Sequence, residues 1–156
     1  MKTGKKSQIP EKTDPNWKIG IVYSTYYEDE INSLVECAKK TFNDAGISSV
    51  ALHPVAGSFE IPLIGAGLAN EGAIDALVGF GIIIKGETEH ADHIARETAR
   101  GIMDVQTKFG IPFAYEVLHV NSLKEAQERC SDDNNKGREA ACTVLHSLAE
   151  LKSMQS

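Results

Sequence analysis

Long apolar runs are missing from this 156-residue chain. Nothing in it approaches the ~20 consecutive apolar residues that a membrane-spanning helix requires. The opening stretch "MKTGKKSQIPEKTDPNW" is basic but has no apolar centre. That excludes an ordinary export signal and leaves a flexible arm over residues 1–16 of a cytosolic protein. Cysteine is scarce. Cys37, Cys130 and Cys142 form an odd set without C-x-x-C spacing, which excludes a disulfide framework and leaves reduced thiols. Positive charge is outweighed, 16 lysines and arginines against 22 acids for a net −6, whereas a general nucleic-acid binder needs a basic face. Only a local cationic pocket remains open.

The usual nucleotide and metal signatures are absent as well. There is no P-loop G-x-x-x-x-G-K-[ST]. "GAGLAN" at 65–70 imitates a dinucleotide fingerprint, but it lies inside a helical pattern and lacks the preceding strand and third glycine. Nicotinamide and ATP chemistry thereby lose their customary mark. His90 and His93, with Asp92 between them, lack the H-E-x-x-H pattern or cysteine pair that would complete a zinc set, so no metal is expected. Internal repeats and low-complexity blocks are absent too.

What remains is an alternation. Apolar runs at 18–24, 48–55, 75–85 and 111–120 are continuous, as expected of parallel strands covered on both faces. Between them, Ile31, Leu34, Val35, Ala38, Phe42 and Ala45 recur at helical spacing and stop at Gly46. Ala91, Ile94, Ala95, Thr98, Ile102, Val105 and Phe109 do the same and stop at Gly110. Further helices are expected over 61–70, 122–130 and 137–151. This pattern predicts one domain over 17–156, a three-layer α/β/α sandwich around a four-stranded parallel sheet of the flavodoxin-like type. Ligands of such sheets bind beyond the carboxyl ends of the strands, where the strand order reverses.

Four loops fall at that edge. Tyr26 and Tyr27 follow the first run and offer aromatic surface. "GSFE" at 57–60 adds Phe59 and a carboxylate, Glu60, that cannot be buried without a partner. "GETEH" at 86–90 provides Gly86 for close backbone approach, Thr88 as a helix cap, and helix amides that can bind an anion without basic side chains. Glu87 works against an anion there unless its side chain turns away. His90, in the first turn of the following helix, suits proton transfer better than His93, one turn further in. Arg129, in the last stretch "QERCSDDNNKGREAA", is placed to clamp a phosphate.

"GSFEIP", "IIIKGETEH" and "ERC" followed by "NKGREAA", in this order, resemble lumazine synthase, an enzyme family of riboflavin biosynthesis, over about residues 17–150. The resemblance implies condensation of 5-amino-6-(D-ribitylamino)uracil with 3,4-dihydroxy-2-butanone 4-phosphate, without cofactor or metal. It implies that Tyr26 stacks on the pyrimidine, that Ser58, Phe59 and Glu60 hold the uracil and ribityl chain, and that Ile82, Ile83 and Ile84 meet the ring through their backbone. Glu87 and Thr88 fall where the butanone phosphate binds, His90 where a histidine moves protons, and Arg129 where an arginine binds phosphate, with Lys136 and Glu139 nearby. Tyr115 matches an aromatic supplied by a neighbouring subunit, so the resemblance also implies a pentamer-based homo-oligomer, here a pentamer or decamer rather than a shell. Small molecules are its expected partners, and neither nucleic acid nor membrane. The chain departs from the pattern at Glu87, usually a small residue, at Ala56, usually proline, at Asp133, where a lysine usually assists phosphate, and in "EVLHVNS". Two extra acids near a phosphate site leave an alternative: a non-catalytic flavin- or lumazine-binding relative, or an oligomeric scaffold.

Overall fold

The structure is a computed structural model and describes residues 8–87 and 89–155. The apolar runs become β1 (Ile19–Ser24), β2 (Val50–Val55), β3 (Ala76–Ile84) and β4 (Phe113–Val120). All neighbours pair in parallel, in the order β2-β1-β3-β4. The helices between them are α1 (Glu28–Asp44), α2 (Ile61–Glu71), α3 (Ala91–Phe109), α4 (Leu123–Arg129) and α5 (Lys136–Ser153), and a short 3₁₀ turn, Ser58–Glu60, leads into α2.

Alternation along the strands sorts the core into two layers. Ile19 and Ile21 of β1 and Val78, Phe80, Ile82 and Ile84 of β3 face α1 and α5, where Leu34, Phe42, Val144 and Leu145 are fully buried. Val22, Leu77, Ile83 and Val117 face the opposite way, against Ile61 of α2 and Ala91, Ala95 and Ile102 of α3. All nine residues of β3 are buried, as befits a central strand with helices on both sides.

β2 departs from the sequence expectation. Ala51, Leu52 and Pro54 are exposed, so this strand is not covered on both faces within one chain. The reason is its place at the edge of the sheet, where only β1 pairs with it. Pro54 fits there because a proline lacks the amide hydrogen a central strand would need.

The helix ends are fixed by local chemistry. Ser122 Oγ accepts from Glu125 N at 3.2 Å and opens α4. Asn135 Oδ1 accepts from Gly137 N at 2.8 Å and opens α5, while its Nδ2 donates to Cys130 O at 3.0 Å and Ser33 O at 3.3 Å. One side chain thus ties α1, α4 and α5 together. The stretch 8–16, expected as an arm, makes its own contacts with this layer. Thr13 Oγ1 donates to Ala45 O at 2.8 Å, Asp14 pairs with Lys152 at 2.8 Å, and Ile9 packs on the core. Cys130 and Cys142 are buried and Cys37 half-buried; burial raises all three thiols, Cys130 to about 11, so none is poised as a nucleophile.

Candidate functional site

The carboxyl ends of the strands carry the four loops singled out by the sequence. β1 and β2 are tied at this edge by Thr25 N to Val55 O at 3.0 Å and by Thr25 Oγ1 to Ala56 O at 3.1 Å. β3 and β4 are tied by Lys85 N to Val120 O at 2.8 Å. The order reverses between β1 and β3, so the crevice of an open parallel sheet falls between these two tied pairs.

On the β1/β2 side, Gly57 brings two functional groups together. A Cβ at this position would stand 3.3 Å from Glu60 Oε1 and 3.5 Å from the Tyr26 ring, so both flank the same backbone. Tyr26 is 67% exposed, with its ring available to a planar ligand. Ser58 is buried against Gly81 of β3, where any side chain at 81 would collide with its hydroxyl. That close approach anchors the Ser58–Glu60 turn over the α2/α3 side of the sheet. Phe59, half exposed, leans on His93 with ring centroids 6.4 Å apart and planes tilted by 34°.

On the β3 side, Ile82, Ile83 and Ile84 end the strand with buried side chains and Gly86 turns the chain at φ 85°. α3 opens at Ala91, with His90 exposed in the capping position and its carbonyl accepting from Ile94 N at 2.8 Å. His90 therefore stands just before the first turn, not within it as expected. Thr88, expected to cap this helix and meet phosphate, lies outside the described residues.

Glu87 is held by a residue whose role the sequence did not disclose. The Tyr27 hydroxyl donates to Glu87 Oε2, joining the loops after β1 and β3 across the crevice. Tyr27 sits at φ 58°, ψ 55°, and among the described residues no other non-glycine has positive φ. Holding a bulky side chain in this region costs on the order of 1 kcal/mol or more. Packing of the ring on the α1/α5 core offsets that cost. Burial, followed by the Glu87 carboxylate, raises the phenol from 10.0 to about 12. A phenol raised in the fold stabilises it fully below pH 10.0, and that contribution is lost as pH climbs from there through about 12. Alkaline unfolding curves of the wild type and Tyr27→Phe are expected to converge over this window and to stay separated below it.

The remaining expected residues do not join this cluster in one chain. Tyr115 pairs with Gly79, five residues before Ile84 and thus about 16 Å along the strand from the edge at ~3.3 Å per residue. It is 39% exposed; burial first, then Glu116, raises its phenol. Arg129 Nη1 donates to Glu125 O at 3.0 Å, and its helix packs through Ala126 on the α1/α5 side. Lys136 pairs with Glu139 at 2.7 Å at the start of α5, and Asp133 is exposed in the connection before it. His119 was not expected here. Its Nε2 lies 3.2 Å from Asp92 Oδ1 but out of line for a hydrogen bond, leaving a buried ring nitrogen without one. The β3/β4 register, with His119 beside Ile83, brings the two together; no sequence spacing would.

Among the described residues no three His, Cys, Asp or Glu side chains group closely enough to hold a metal ion, and no helix is long and apolar enough to cross a membrane.

A four-stranded parallel α/β sandwich in the order β2-β1-β3-β4, with the Tyr26 ring and the Glu60 carboxylate beside Gly57 at its edge, is a flavodoxin-like fold. The family model for 6,7-dimethyl-8-ribityllumazine synthase matches residues 16–152, and the chain belongs to that family. Lumazine synthase is a transferase of riboflavin biosynthesis. Among solved structures, a de novo designed Rossmann fold protein is similar at 16% identity, covering 76% of this chain and 98% of that one, with a TM-score of 0.37.

Proposed function

We propose that the protein condenses 5-amino-6-(D-ribitylamino)uracil with 3,4-dihydroxy-2-butanone 4-phosphate to 6,7-dimethyl-8-ribityllumazine, releasing phosphate and water and using no cofactor. The observation that carries this reading is the convergence of Tyr26 and Glu60 on Gly57 at the edge where family membership leads one to look for a pyrimidine. Tyr26 stacks on that ring, Ser58 and Phe59 shape the floor, and Glu60 accepts hydroxyls of the ribityl chain. Backbone groups of Ile82, Ile83 and Ile84 meet the ring edge. The butanone phosphate lies by residues 86–90 with Thr88 and the first amides of α3. His90 moves protons during imine formation, phosphate loss and ring closure.

The positions of Tyr115 and Arg129 support sites shared between subunits of a cytosolic homo-oligomer. In one chain Tyr115 lies well short of the edge and Arg129 packs on the other layer. A neighbouring copy would supply both, together with Lys136. A pentamer or decamer is the assembly we assign.

The test mixes both substrates with purified protein and follows the fluorescence of the lumazine. Product should form well above the uncatalysed condensation. No acceleration at any protein concentration would end the enzymatic reading; flavin binding under the same conditions would then favour the non-catalytic relative.

A further inference from the structure

We propose that Tyr27 is a positioning residue. Its hydroxyl draws the Glu87 carboxylate to the α1/α5 side of the switch-point crevice and so keeps the amino end of α3 open to a phosphate. The inference rests on the reading that phosphate binds at that corner.

Three observations carry it. Tyr27 belongs to the loop after β1 and Glu87 to the loop after β3, the two strands that border the reversal of strand order, so this hydrogen bond spans the crevice itself. The Tyr27 ring packs with the layer of Leu34, Val144 and Leu145, whereas Ala91 and Ala95 at the start of α3 belong to the opposite layer. A carboxylate bound to the phenol is therefore drawn towards the α1/α5 layer, opposite the layer to which the start of α3 belongs. Finally, the tyrosine reaches Glu87 from a left-handed backbone that a bulky side chain rarely adopts, and the sequence keeps it there rather than glycine or asparagine.

The consequence is electrostatic. An exposed carboxylate free to swing towards a bound phosphate repels it, and water-like screening sets that penalty at about five- to tenfold in affinity. With its carboxylate tethered, Glu87 closes one wall of the crevice without opposing the anion. The same tether makes the site selective. A ligand that needs to donate a hydrogen bond to Glu87 must compete with the phenol, whereas a phosphate need not.

The experiment measures inorganic phosphate binding by calorimetry at fixed pH and ionic strength. Tyr27→Phe keeps the ring and removes the hydroxyl, and is expected to weaken phosphate about five- to tenfold. Glu87→Asp keeps Tyr27 but shortens the carboxylate beyond its reach, and should weaken it to a similar extent. Adding Glu87→Gln to Tyr27→Phe removes the loose charge and should restore affinity, which a merely structural role of the hydroxyl would not do. Unchanged affinity in Tyr27→Phe, or a loss that Glu87→Gln fails to rescue, would overturn the proposal. Phosphate binding to none of the proteins, wild type included, would instead remove the reading of the corner, and the positioning role with it.

Discussion

Gly137→Ala is expected to lower stability by about 3 kcal/mol, near the upper end of the usual cost of inserting a methyl group into a packed interior. α5 begins at Lys136, and Gly137 meets α1 so closely that a Cβ there would intrude on the Leu34 carbonyl oxygen and stand 2.9 Å from Asn135 Oδ1. A backbone oxygen inside a helix cannot turn aside as a flexible side chain would, so the two helices must part. Parting them also strains the Asn135 bonds to Cys130 O and Ser33 O that close the α4–α5 connection. For a domain of this length the change corresponds to a melting temperature lower by roughly 6–12 °C. Gly67→Ala provides the opposite control. Gly67 lies within α2 with open space around its Cα, so alanine there should stabilise by about 0.5–1 kcal/mol through helix propensity alone. Thermal melts of the two variants therefore shift in opposite directions, and a Gly137→Ala melt within a degree or two of wild type, on the order of the ~2–4 °C that 1 kcal/mol produces, would refute the close approach of α1 and α5.

Close approaches of this kind are what the sequence conceals, while the elements themselves lie open in it. Ile31 to Ala45 spells out α1 because its apolar spacing of three and four is repeated over four turns and ends at Gly46, which takes φ 87°. The run at 75–85 spells out β3 because a strand buried on both faces has no polar alternation to disguise it. The run at 48–55 looks the same, yet β2 is an exposed edge: apolar content tells that a segment can be a strand, not how many neighbours it has. At the site, the loops were legible because strand ends and glycines mark them, and the Tyr26–Gly57–Glu60 grouping followed from the fold rule for parallel sheets. The Tyr27–Glu87 bond was not legible, since its partners are 60 residues apart and only the β1/β3 pairing makes them neighbours. The same holds for His119 and Asp92. The start of α3 was misread by a turn's fraction because Thr88 has the chemistry of a cap, while the helix itself opens at Ala91.

His90→Ala is expected to reduce kcat for lumazine formation by roughly a hundredfold, at the lower end of what a positioned acid–base group contributes, with KM for either substrate little changed. The lower end applies because holding two substrates together supplies much of the acceleration of a condensation and survives the substitution. His93→Ala should change kcat by no more than about threefold, since this ring is engaged with Phe59 and sits a turn further along α3. Arg129→Ala tests a different step. Removing the guanidinium that we propose clamps phosphate should raise KM for the butanone phosphate by roughly tenfold or more and leave KM for the pyrimidine unchanged. The pattern across three variants is the check: one histidine acting on kcat, the other nearly silent, and the arginine acting on one substrate alone. Equal losses in His90→Ala and His93→Ala would show instead that the loop between β3 and α3 matters as a packed unit, and would remove His90 from proton transfer. His90 stands exposed at the capping position of α3 rather than within its first turn, so replacing its side chain should leave the helix behind it intact, and a loss in kcat would report on the proposed proton transfer rather than on the fold.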